Sequence, residues 1–461
     1  MSSNRSLTRR NFLVGASTLL ALPILGAVPD ICARRQRSCI IIGSGLSGLG
    51  AAYHLSRAGW HVTILEARDR VGGRVFSRHM GGENLVCEMG AEWVGNEHER
   101  VRALCKSLGI GLQRHQFQNE RLLQNGHVSA PGKLETRFTP QGRAAWETFT
   151  KKFHSYSLEQ QKWMDRFDWW TWLRNIGMPE QDIRLRDLSD STDFGETIRD
   201  LGAFVGANEY ISTAASPTDW MDMKMIGGNA RLPQELAHRI GREHIHLNTP
   251  VHEIKQGRGL VSVRSGEKVW KADAVICTAP TRSLTQIHFD PPLPSAQFNA
   301  ANQLQYGRIV KTAVLYDERF WKQDDFSLVT DTSSHYIFHA TQNQKGKQGI
   351  LTSYATGDKA DVLASQDETR RMKIVAQELA PVDERTPQLA RAVTSIPWQR
   401  DRWTQGAYAI YKPGQWFTLR PILSRPHGKV LFAGEHLADW QGFMEGAAET
   451  GEAAANALLG K

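Results

Sequence analysis

Apolar residues recur along this chain with two periods, and each period predicts an element. Cys39 to Ile42 is a short, unbroken apolar run that reads as a strand. It leads directly into Gly43-Ser44-Gly45-Leu46-Ser47-Gly48, after which Leu46, Leu49, Ala52 and Tyr53 fall on one side of a helix. Gly59 ends that helix, and His61 to Leu65 form a second strand finishing in Glu66. Much later, Ile309 to Tyr316 reads as a strand in which Lys311 shares the apolar face of Ile309, Ala313 and Leu315. Between them, residues 140–225 read mainly as helix and hold Trp146, Trp163, Trp169, Trp170, Trp172 and Trp220. Core packing accounts for most of these rings, and lining an apolar pocket is their alternative use.

The first 33 residues follow another pattern: Arg5, Arg9 and Arg10 precede an apolar run from Phe12 to Val28, the layout of a signal peptide. Thr8-Arg9-Arg10-Asn11-Phe12-Leu13 resembles the twin-arginine export signal, an address read by a receptor. That resemblance implies a signal peptide over residues 1–33, the twin-arginine export machinery as partner, and a bacterial periplasmic destination for a protein exported already folded. A buried first helix or a single membrane anchor is the alternative, for which so short a run is marginal.

A chain of 461 residues implies more than one domain, and two interleaved domains are expected. Its 41% hydrophobic and 23% charged residues are those of a globular protein. The net charge of +8 comes from basic residues spread along the chain without a block or motif, so nucleic-acid binding is not expected. The cysteines, Cys32, Cys39, Cys87, Cys105 and Cys277, lack the paired spacing of metal sites, and neither a zinc site nor a disulfide framework follows.

The strand, glycine turn and helix over 39–53 have a definite chemical use. Gly43 permits the tight turn, Gly45 lets backbone approach a pyrophosphate, and Gly48 lets helix and strand pack closely, with phosphate at the helix N-terminus. Glu66, 21 residues after Gly45, is placed to accept both hydrogen bonds of an adenosine ribose. Glycines serving only a turn would leave Glu66 unexplained.

From Glu66 the chain continues Ala67-Arg68-Asp69-Arg70-Val71-Gly72-Gly73-Arg74, which resembles the extension around the FAD pyrophosphate in flavin amine oxidases. Glu88-Met89-Gly90-Ala91-Glu92-Trp93 is similar to the family segment passing the flavin, and Val251-His252-Glu253-Ile254 to the strand whose first residue contacts adenine. Ala272 to Pro280 resembles a further FAD-domain strand. Phe432-Ala433-Gly434-Glu435 and Trp440-Gln441-Gly442-Phe443-Met444-Glu445-Gly446-Ala447 resemble the C-terminal signature, where a helix start faces the flavin pyrimidine ring. By resemblance the fold is α/β: an FAD-binding Rossmann-like domain (38–95, 228–290, 404–461) interleaved with a mixed-sheet plus helical substrate domain (96–227, 291–403), the monoamine oxidase-like architecture. The implied cofactor contacts are Gly43, Ser44, Gly45, Leu46, Ser47, Gly48, Glu66, Ala67, Arg68, Gly73, Arg74, Gly90, Ala91, Glu92, Trp93, Val251, Trp398, Gly434, Glu435, Phe443 and Met444.

The resemblance also implies the reacting groups. Lys311, followed by Phe320-Trp321, matches the family lysine that holds a water against flavin N5; an edge position with the ammonium reaching water is the plainer alternative. Tyr408 and Phe443 match two rings that flank the amine, with core packing as their alternative. Ala407 stands where some relatives carry a flavin-bonding cysteine, so FAD is expected to be non-covalent. Gly95 stands where plant-type polyamine oxidases are acidic. Gly90-Ala91-Glu92-Trp93 lacks the arginine that clamps the carboxylate in snake-venom-type L-amino acid oxidases, leaving Arg231 or Arg402 for that task. The implied reaction is oxidative deamination of a primary or secondary amine by hydride transfer to flavin N5, with dioxygen or another acceptor. An L-amino acid oxidase, a desaturase-like enzyme and a flavin-binding protein without turnover are the rival readings, and a homodimer is left open.

Overall fold

Strand β1 (Ser38–Ile42) lies at the centre of a five-stranded parallel sheet, between β2 (His61–Leu65) and Ala274–Cys277. Ile245–His246 and Val430–Phe432 form its edges. This computed structural model describes residues 36–116, 119–213 and 221–461; the export signal expected over 1–33 and Trp220 lie outside the described residues. A central parallel strand is covered on both faces, which is why Cys39 to Ile42 is apolar without alternation. Cys39 and Ile41 pack with helix α1 (Leu46–Arg57) and the last helix (Met444–Leu459), while Ile40 and Ile42 face the core on the opposite side.

Two boundaries differ from the sequence expectation. The strand expected from Val251 begins at Glu253, because the preceding stretch is tied elsewhere: Thr249 N–H donates to Glu66 O at 2.7 Å and Asn248 N–H to Arg68 O at 2.8 Å. The strand expected across Ala272 to Pro280 is interrupted at Asp273, whose carboxylate accepts from the Ser38 N–H and hydroxyl, each at 2.8 Å.

The second large sheet has seven strands, in the order Ala390–Pro397, Ile309–Tyr316, Gly349–Thr356, Tyr336–His339, Phe326–Thr330, Asn119–Gln124, His127–Val128. All eight residues of Ile309–Tyr316 are buried, and the strand is paired on both sides. Lys311 therefore does not stand at a sheet edge, and its side chain is buried rather than extended into solvent.

Residues 140–208 form five α-helices, several begun by their own side chains. The Thr139 hydroxyl accepts from Gly142 N–H, Ser157 forms a capping box with Gln160, and Asp168 accepts from Thr171 N–H. Trp169, Trp170 and Trp172 are core residues, Trp146 lies under the Arg186 guanidinium, and Trp163 is exposed.

Candidate functional site

The turn after β1 has the geometry its glycines imply. Gly43 takes φ +97°, and a β-carbon on Gly48 would stand 2.0 Å from Gly43 O, so α1 can lie against the turn only with glycine there. At Gly45 a β-carbon would meet nothing within 4 Å, so the turn leaves open space there. Gly45 is the N-cap of α1 and no side chain caps it, so the helix start formed by Leu46, Ser47 and Gly48 is where first-turn N–H groups can meet an anion.

Glu66, at the end of β2, is buried and accepts from Ser44 N–H at 2.7 Å, the Ser44 hydroxyl at 2.8 Å and Arg68 N–H at 2.8 Å. Ala67 follows it, and the Arg68 guanidinium pairs with Asp401. Gly73 packs on Gly45, where a β-carbon would lie 3.4 Å from the Gly45 Cα. Val251 packs half-buried in the loop before Glu253. An open glycine turn at a helix start, beside a buried carboxylate, fits the pyrophosphate and ribose of FAD.

Glu435 binds the far side of the site together. Its carboxylate accepts from the Arg74 guanidinium at 2.6 Å, Gly442 N–H at 2.9 Å and Ala409 N–H at 3.4 Å. It thus anchors the residues that follow Tyr408 and precede Phe443. Burial works against the charge of Arg74, and Glu435 beside it outweighs burial and holds its pKa up. Gly434 N–H donates to the Thr450 hydroxyl at 2.9 Å.

Phe443 is the N-cap residue of the last helix, with Met444 buried behind it, and no side chain caps that helix start. Its ring lies 5.5 Å from His98 and 5.8 Å from Trp440. Tyr408 packs against Gly442, where a β-carbon would come within 2.9 Å of its ring, and its hydroxyl donates to Thr192 O at 3.0 Å and to Asp193 O. The two rings therefore meet the same turn, Gly442-Phe443, from separate parts of the chain.

Lys311 donates to Gly90 O at 2.9 Å and Glu88 O at 3.4 Å, and forms an ion pair with Glu92 at 2.5 Å. Its ammonium lies 5.4 Å from the Tyr354 ring centre, and the Tyr354 and Tyr408 hydroxyls are 3.4 Å apart. Burial raises both tyrosine pKa values, so both hydroxyls stay neutral donors. Ala91 N–H donates to Arg74 O at 2.9 Å, and the Trp398 indole N–H donates to Met89 O at 2.9 Å, which secures the segment carrying Gly90 and Glu92.

Lys224, Tyr354 and the carbonyls of Thr192 and Asp193 were not expected from the sequence. Lys224 shares Glu92 with Lys311, at 2.6 Å, and lies 4.7 Å from the centre of the Trp93 ring. Its signal, a lysine between Met223 and Met225, sits in a strand of only three residues, too short to display a period. Burial works to raise the Glu92 pKa, but Lys224 and Lys311 outweigh it and hold the carboxyl below its usual range. Glu88 accepts from the Ser77 hydroxyl at 2.7 Å and Asn229 N–H at 2.8 Å, yet burial pushes its carboxyl up to about 7.

The parallel sheet with its open glycine turn and buried Glu66, and the buried Lys311 joined through Tyr354 to Tyr408, fit an FAD-binding oxidoreductase. The sequence model of the flavin containing amine oxidoreductase family matches residues 46–459, and the chain belongs to that family. It is similar to the L-amino acid dehydrogenase of Synechocystis sp., 26% identical over 92% of this chain and 94% of the relative. It is also 26% identical to the flavin-containing amine oxidase B of Homo sapiens, over 91% of this chain and 85% of the relative. Among solved structures, cyclohexylamine oxidase from Brevibacterium oxydans IH-35A superposes with a TM-score of 0.82 at 23% identity, covering 92% and 98% of the two chains. The chain is thus a flavin-dependent oxidoreductase acting on amines.

Proposed function

We propose that the protein oxidises a neutral primary or secondary amine by hydride loss from the carbon bearing nitrogen. The carrying observation is that Lys311, Tyr354 and Tyr408 form one contact chain, with Tyr408 set against the turn that presents Phe443. In this reading the first FAD-domain segment holds FAD, through the glycine turn, Glu66 and the residues up to Arg74. Bound FAD supplies the hydride acceptor, and reoxidation by dioxygen yields hydrogen peroxide. The chain orients the amine between Tyr408 and Phe443, disfavours its ammonium form by apolar surroundings, and holds a water with Lys311. Ala407 carries no thiol, so FAD stays non-covalent and leaves with acid or heat. The domain division retained is 38–95, 228–290 and 404–461 for FAD against 96–227 and 291–403 for substrate.

An α-amino acid substrate is the second reading, favoured by the name of the Synechocystis relative. It needs a clamp for the carboxylate, and Arg231 and Arg402 are both exposed, the first donating to Ile226 O at 2.6 Å and the second stacked on Trp403. Anaerobic mixing of the yellow protein with primary amines, secondary amines and L-amino acids separates the readings. Bleaching by amines supports the first, bleaching by amino acids alone supports the second, and no bleaching overturns both. Export to the periplasm by the twin-arginine route belongs to the same proposal; replacing Arg9 and Arg10 by lysine should strand the protein in the cytoplasm, and unchanged periplasmic yield would remove the export claim.

A further inference from the structure

Two helices from opposite ends of the chain start at the same place, and one carboxylate lies between them. Helix α2 (Glu99–Ser107) follows His98, which gives it no side-chain cap. The missing acceptors come from Glu445, in the first turn of the last helix: Arg100 N–H donates to its Oε1 and Val101 N–H to its Oε2, each at 3.0 Å. Glu445 is buried, and the Arg100 guanidinium lies 3.4 Å from it and 3.0 Å from Glu452. Both helix starts carry partial positive charge, so a carboxylate between them favours their meeting. With both Glu445 oxygens engaged by α2, the last helix keeps its own start at Phe443 without a side-chain cap.

The clamp reaches the amine site through His98. The His98 ring is buried and meets Trp440 edge-on at 4.9 Å and Phe443 at 5.5 Å. Val101 and Cys105 extend the contact, packing in one core cluster with Met444 and Ala448. We propose that Glu445 is a positioning residue for the amine site: by capping α2 it holds the His98 ring against Phe443 and fixes the ring that flanks the amine opposite Tyr408. The inference rests on the reading of Tyr408 and Phe443 as flanking rings only for its kinetic consequence, and the clamp itself is measured without turnover. Glu445→Gln keeps the shape of the side chain but offers one oxygen and one NH₂ to two N–H donors, so one donor loses its acceptor.

The test is ¹⁹F NMR of the FAD-loaded protein labelled with 4-fluorophenylalanine, with Phe443→Tyr identifying the resonance. Glu445→Gln and His98→Leu should each displace or split the Phe443 signal, and kcat/KM for benzylamine, or for n-hexylamine if the parent does not oxidise benzylamine, should fall about tenfold in both. The double variant should lose little more than either single one, because both act through the same ring contact. A lost helix cap with no positioning role would lower the unfolding temperature and leave Phe443 in place, so a Phe443 signal in Glu445→Gln that coincides with the parent overturns the proposal. Should Glu445→Gln not fold, Glu445→Asp holds both oxygens one methylene further from α2 and is judged by the same signal. If the signal moves while the amine is oxidised at the parent rate, the clamp stands and the reading of Phe443 as a ring beside the amine falls. A parent that oxidises neither amine contradicts the proposed reaction, and the NMR signal still decides the clamp.

Discussion

The dinucleotide cradle draws on residues 38–74 and works mainly through backbone: an open glycine, a helix start, one carboxylate holding a turn. The cluster around Lys311 works through side chains brought from 92, 224, 311, 354, 408 and 443, no two of which are neighbours in sequence. A backbone device fits inside one strand-turn-helix unit because each part fixes the next. A cluster of charges and rings has no local rule and exists only once both sheets are formed. Damage should therefore differ in kind: in the cradle it removes cofactor or fold, and in the cluster it removes chemistry from a protein that stays folded and yellow.

Five substitutions sharpen or break that contrast. Lys311→Met should have the largest effect, a loss of about 10² to 10⁴-fold in the half-reaction that uses the lysine-held water, with FAD content kept because Glu92 retains Lys224. Stopped-flow separation of flavin reduction from reoxidation locates the loss, and both rates within about threefold of the parent, under 1 kcal/mol, would remove Lys311 from the mechanism.

Gly48→Ala comes next. Its β-carbon would lie 2.0 Å from Gly43 O and 3.2 Å from Ile41 Cγ2, so strand and helix must part, at a cost on the order of 3 kcal/mol in denaturant unfolding. Gly45→Ala is its control, with no protein atom within 4 Å of the new carbon: the apoprotein should unfold within about 0.5 kcal/mol of the parent while FAD affinity drops. Equal loss of stability in both variants would show that Gly45 does not face a ligand.

Glu66→Ala should weaken FAD binding about tenfold to a hundredfold, the size of one charge-assisted hydrogen bond, and leave chemistry in the loaded fraction intact. Flavin fluorescence titration at limiting FAD measures it, and undiminished occupancy would dissociate Glu66 from the cofactor. The smallest effect belongs to Glu88. Its folded carboxyl is raised to about 7 from 4.5, so the native state holds the proton more tightly than the unfolded chain. That contribution is fully present below about pH 4.5 and is lost as pH rises through about 7. Glu88→Gln should make the unfolding temperature less dependent on pH across that window, and parallel curves for parent and variant would show that Glu88 titrates normally.

The same contrast explains what the sequence disclosed. The runs read as Cys39–Ile42, His61–Leu65 and Ile309–Tyr316 agree with the observed strands to within one residue, because apolar period and glycine punctuation are local signals. Glu66 was legible for the same reason, standing at the end of a strand at a fixed distance from the turn. Lys311 was conspicuous only as a charge on an apolar face; its partner Glu92 was noticed for its motif, and the pairing depends on a contact 219 residues apart. Lys224 escaped because its strand of three residues carries no period. The break at Asp273 escaped because a carboxylate in an apolar run shows its purpose only when Ser38 is beside it.

One contact bears on the order in which the molecule comes into being. Gly451 of the last helix lies so close to α1 that a β-carbon there would stand 2.2 Å from Ser47 O, and Val430–Phe432 joins the sheet that begins with β1. Helix α1 thus waits for a packing partner made some 400 residues later. At roughly 5–20 residues per second of synthesis, that is an interval of about 20 to 80 seconds during which the apolar faces of β1 and α1 have only earlier neighbours. A nascent chain stalled before residue 430 should therefore expose these faces to chaperones and to protease, and release of the final thirty-two residues should withdraw them.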